Sequence, residues 1–161
     1  MNQQTLLSTH NLFMSRLLLS LLGAYIAHAY RHVSHDYWLL MMFLFSVIAV
    51  APSYYQFRQK GDNFKAFVRN LLHWSGGLCA ALVVYAYHGS GRIFHEEAGL
   101  IVLLILALTS YLDGIQSGWR CMFIGLFLGL TAVCVAYFDS YIQPLAALAI
   151  AAITVSYQSK L

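Results

Sequence analysis

His28, His32 and His35 stand four and three positions apart, the spacing that places side chains on one face of a helix. Asp36 follows directly, and His88, His95, Glu96 and Glu97 recur further along the chain. Imidazoles and carboxylates together suit zinc, copper, nickel or iron, and two imidazoles with one or two further ligands make a metal site. These eight residues are the candidate metal ligands if the segments that carry them meet. A plainer role also fits them. Glu96 and Glu97 at the start of a helix are favoured by its dipole alone, and His95 can belong to the same cap.

A second pairing sets His73 and His88 on one apolar stretch, ~22 Å apart along a helix that rises about 1.5 Å per residue. The pattern is similar to that of b-type membrane cytochromes, which hold one haem per leaflet between histidines. The alternative function is therefore a membrane redox subunit that binds haem b through histidines including His28, His73 and His88, with His10 as an example of a further ligand, although the His10 to His28 spacing is longer. The alternative for His73 is an interfacial histidine beside Trp74.

The familiar catalytic signatures are missing: there is no GxSxG elbow, HExxH pair or P-loop. Cys79, Cys121 and Cys134 are isolated from one another, so neither a CxxC redox pair nor a zinc ribbon is spelled out. They read as small apolar residues inside helices. The expectation is a non-enzymatic protein.

The elements that must position these residues follow from composition. Hydrophobic residues make up 60% of the chain and charged ones 9%, against roughly 45–50% apolar in soluble proteins. Apolar runs of about 20 residues suit bilayer crossing. The spacing predicts an all-α integral membrane protein, one transmembrane domain over residues 1–161. Its spans fall at about 12–30, 37–55, 66–87, 98–112, 121–138 and 141–157. The sixth is near the lower length limit, so the bundle has six helices, or five if that segment does not cross. The start of the chain lacks the basic region and cleavage site of a secretory signal, so the first span is expected to be retained. Tyr37, Trp38, Tyr54 and Tyr55 bracket the second span as interfacial aromatics do.

The run Gln56 to Arg69, QFRQKGDNFKAFVR, reads as a basic loop carrying Arg58, Lys60, Lys65 and Arg69 against Asp62. Basic residues in short loops resist translocation, so this loop is assigned to the cytoplasm. With six spans, Arg16, Arg58, Lys60, Lys65, Arg69, Arg120 and Lys160 fall inside, and only Arg31 and Arg92 outside. Both termini are then cytoplasmic, and the histidine-rich loops face out. A bacterial-type inner membrane is the expected location. The formal charge of +3 reports topology, and nucleic acid is not expected as a partner.

No Asp, Glu, Lys or Arg falls in the middle of an expected span, which argues against an ion-coupled carrier. Asp113, Gly114 and Gly118 mark an expected turn between the fourth and fifth spans, with Asp113 and Arg120 paired across it. Small residues recur at packing spacing in Gly77-x-x-x-Ala81, Gly125-x-x-x-Gly129 and Ala147-x-x-x-Ala151. Gly125 and Gly129 fit either a homo-oligomer contact or packing within one chain. The expected partners are the lipid bilayer, other membrane subunits and a second copy of the chain.

Overall fold

The computed structural model describes residues 19–20, 34–60 and 64–137. Those residues are helical with short connections: α1 Ser34–Lys60, α2 Phe64–Gly89, α3 His95–Ser117 and α4 Trp119–Tyr137. Three of them contain stretches long and apolar enough to cross a membrane: Asp36–Arg58, Phe64–Gly89 and Glu97–Ser117. The apolar part of α4, Cys121–Ala136, is shorter. The expected spans 12–30 and 141–157 lie outside the described residues, apart from Leu19 and Ser20.

Helices α1, α2 and α3 pack on one another in all three pairings, and α4 packs on α3. Their shared core contains Trp38, Met42 and Phe45 from α1, Trp74 and Ala81 from α2, and Leu103 and Leu106 from α3, with Ile124 and Leu128 from α4. Along α3 the buried residues Leu103, Leu106, Ala107, Ser110 and Asp113 repeat every three to four positions. That period makes one continuous buried stripe on a helix.

The expected basic loop is mostly helix. α1 continues through Arg58 to Lys60, and α2 begins at Phe64, since good helix formers continue a helix whether or not it is in lipid. The two ends are held together by rings. Phe57 stacks on Phe67 at 5.7 Å with planes 7° apart, Phe57 meets Phe64 at 5.4 Å, and Tyr54 meets Phe67 at 5.8 Å. Aromatic pairs at such distances add about 0.5–1.5 kcal/mol beyond their buried area.

The expected turn at Asp113-Gly114 is also corrected: α3 runs through both residues to Ser117, and Gly118 alone connects it to α4. Gly118 has φ +122, a backbone that side-chain-bearing residues rarely adopt. Gly114 serves packing instead. A Cβ there would collide with the Met122 backbone, and one on Gly125 would collide with the Tyr111 backbone and the Ala107 carbonyl. Helices approach this closely only where small residues permit it. Gly129 also faces α3, near Ala107, so the Gly125-x-x-x-Gly129 ridge packs inside its own chain.

Gly125→Val is expected to force α3 and α4 apart and to lower stability by about 1–3 kcal/mol, as overpacking does. Gly76→Ala is the control, because a Cβ there meets nothing within 4 Å. Unfolding midpoints in a mixed-micelle denaturant titration check both.

Candidate functional site

The antiparallel run of α1, α2 and α3 gathers the sequence-derived ligands at one end of the bundle. Tyr54 against Phe67, Phe57 against Phe64 and Met42 beside Gly77 fix α1 and α2 in opposite directions. The start of α1 therefore lies at the end of α2, and α3 begins at the same end. His35 and Asp36 occupy the first turn of α1, His88 the last turn of α2, and His95, Glu96 and Glu97 the first turn of α3.

The short connection between His88 and His95 is built by glycine. Gly91 has φ +72, and its N–H donates to the His88 carbonyl at 2.9 Å. The Ser90 N–H donates to the Ala86 carbonyl at 3.0 Å. These bonds satisfy carbonyls left over at the end of α2. At the start of α3, Glu97 Oε2 accepts the Phe94 N–H at 3.1 Å, the carboxylate half of a capping box. Glu97 thus has the capping role that sequence offered as the alternative to ligation.

His88 is half-buried, and its Nδ1 lies 3.2 Å from the Ile93 carbonyl. A carbonyl only accepts, so Nδ1 carries the proton in this bond and Nε2 is the basic nitrogen. Metal-binding histidines are commonly oriented by such a bond from the other ring nitrogen. Among the described residues no three His, Cys, Asp or Glu side chains converge as metal ligands. His28 and His32, and the side chains of His35, His95 and Glu96, lie outside the described ones.

His73 is placed elsewhere, between α2 and α3. Its Nε2 lies 3.0 Å from the Thr109 carbonyl, and as the donor there it bridges two helices. The ring meets Trp74 edge-on at 6.0 Å. One turn on, a Cβ at Gly77 would press on Thr109 Oγ1, so this seam is closely packed. A haem ligand at His73 would have to give up the Thr109 bond.

The sequence reading missed a set of polar contacts inside the bundle. Asn70 Nδ2 donates to the Ala49 carbonyl and to Ser53 Oγ, both at 3.0 Å, tying α2 to α1. Thr109 and Thr131 return their hydroxyls to the carbonyls of Ile105 and Phe127, at 2.7 and 2.8 Å. Asp113, placed by sequence in a turn, is buried within α3, where its Oδ1 accepts from Ser117 at 3.1 Å. The spacing of Thr109, Asp113 and Ser117, four apart each time, was the available signal for one polar face. The Tyr37 hydroxyl donates to the Leu19 carbonyl at 2.7 Å.

No family model, curated protein or solved structure matches the chain.

His73→Leu is expected to cost about 0.6 kcal/mol, the average for a side-chain hydrogen bond between membrane helices. Asn70→Leu, which removes two such bonds, should cost more. Unfolding of each purified variant in micelles reads the difference, and equal midpoints would mean the bonds carry no net stability.

Proposed function

We propose that this chain is a non-enzymatic integral membrane subunit, an accessory or small-solute-handling component of a bacterial-type inner membrane. Its basic end faces the cytoplasm, and its histidine end binds a transition metal. The observation that carries this reading is the meeting of three helix ends, which puts His35 and Asp36, His88, and His95 to Glu97 at one pole of the bundle. The Nδ1 bond of His88 to Ile93 supports it, because it fixes the ring in the way metal-binding histidines are commonly oriented. Zinc, copper or nickel fits imidazole with carboxylate.

The basic pole supports the orientation. Arg58, Lys65 and Arg69 are exposed there, and cationic residues beside short loops are retained on the cytoplasmic side. The exposed apolar side chains Leu40, Phe43 and Val47 of α1 offer partner subunits a face that the Gly125-x-x-x-Gly129 ridge does not.

Zinc titration of detergent-purified protein by calorimetry tests the metal reading. Wild type is expected to bind near one ion per chain. His88→Ala should bind at least tenfold more weakly with its unfolding midpoint unchanged, and His73→Leu should bind as wild type. Equal affinity in wild type and His88→Ala would sink the assignment.

A further inference from the structure

The basic pole carries a shallow, open surface that the metal reading does not use. Phe64, Lys65, Val68, Arg69 and Leu72 line it on one side of α2. Lys65 and Arg69 lie four positions apart, so their side chains reach over the same patch of helix. Both are exposed, as is Arg58 at the end of α1. None of the three makes an ion pair or side-chain hydrogen bond to a described residue. Lys65 and Arg69 therefore stand on one face of α2 with no counter-charge among the described residues.

Directly below them the same side of α2 turns apolar. Leu72 is 65% exposed, and Gly76, four positions deeper, has open space where a side chain would stand. Cys79 and Val83 continue the exposed line. The helix thus presents a cationic head, then an apolar wall with open space at Gly76, in the order in which a phospholipid presents its phosphate and acyl chain. An apolar partner helix would match the wall but not the two cations above it.

We propose that this face of α2 binds one anionic phospholipid, with its phosphate held between Lys65 and Arg69 and one acyl chain lying along Val68 and Leu72 into the gap above Gly76. Basic residues at a membrane surface attract anionic headgroups through a field that decays within a Debye length. A built site differs from that general attraction in being local: it depends on these two cations and on the open space at Gly76, not on net charge.

Native mass spectrometry of the purified protein, exchanged into equal amounts of phosphatidylglycerol and phosphatidylcholine with identical chains, tests this. Wild type is expected to retain phosphatidylglycerol at least tenfold over phosphatidylcholine. Lys65→Gln with Arg69→Gln should bring the ratio near one, while Arg92→Gln, which removes a cation from the opposite end, should leave it unchanged. Gly76→Leu keeps every charge and adds a side chain where the fold has room. It should cut phosphatidylglycerol retention at least threefold without loss of helical content.

Equal retention of the two lipids by wild type would overturn the proposal, and so would a preference that survives the double variant. If Gly76→Leu retains lipid as wild type does, or inorganic phosphate displaces phosphatidylglycerol at millimolar concentration, the face is an anion patch and not a lipid site.

Discussion

The backbone contact between α3 and α4 is the constraint from which the rest of the bundle follows. Between helices in lipid there is little hydrophobic drive, so close packing and polar contacts must supply the attraction. Gly114 meets the backbone of α4, and Gly125 meets the backbone of α3. That contact covers one side of α3 and leaves its other faces for α1 and α2. The result is a helix with 56% of its apolar span buried, against 28% for α1 and 17% for α2. α3 is the axis, and the other helices are arranged around it.

The two poles are fastened by different means and hold different chemistry. At the basic pole, rings of Tyr54, Phe57, Phe64 and Phe67 clamp α1 to α2, and the charged side chains are left at the surface. At the histidine pole, the turn at Gly91 and the cap from Glu97 bring α2 close to α3. Between the poles, Asn70 and His73 are the polar ties from α2 to α1 and to α3. The carbonyls they reach, Ala49 and Thr109, lie on helices that also pack on each other.

Hydropathy and length were enough to read the all-helical class and the four central apolar segments. Boundaries were not legible, because lipid exposure ends where charge begins whereas a helix ends where its backbone bonds end. Arg58 therefore marked the limit of the apolar run, while α1 runs on to Lys60 and α2 already begins at Phe64. Glycine was ambiguous for a related reason. Gly114 and Gly118 look alike in sequence, yet one is needed for its missing Cβ and the other for its backbone. The gathering of His35, His88 and His95 at one pole followed from alternating helix directions. The placement of His73 against Thr109 did not, since it depends on which face of α2 meets α3.

The single-residue link at Gly118 bears on the order of assembly. A short closure costs little chain entropy, and topologies rich in contacts between near neighbours in sequence form fastest. Gly114 and Met122 flank that link, and Tyr111 and Gly125 lie one turn beyond it. The α3–α4 hairpin can therefore close as a unit before α1, whose contacts with α3 span a far longer stretch of chain, has found its seat. In this chain the last helices synthesised within the described region are the ones equipped to organise those made before them.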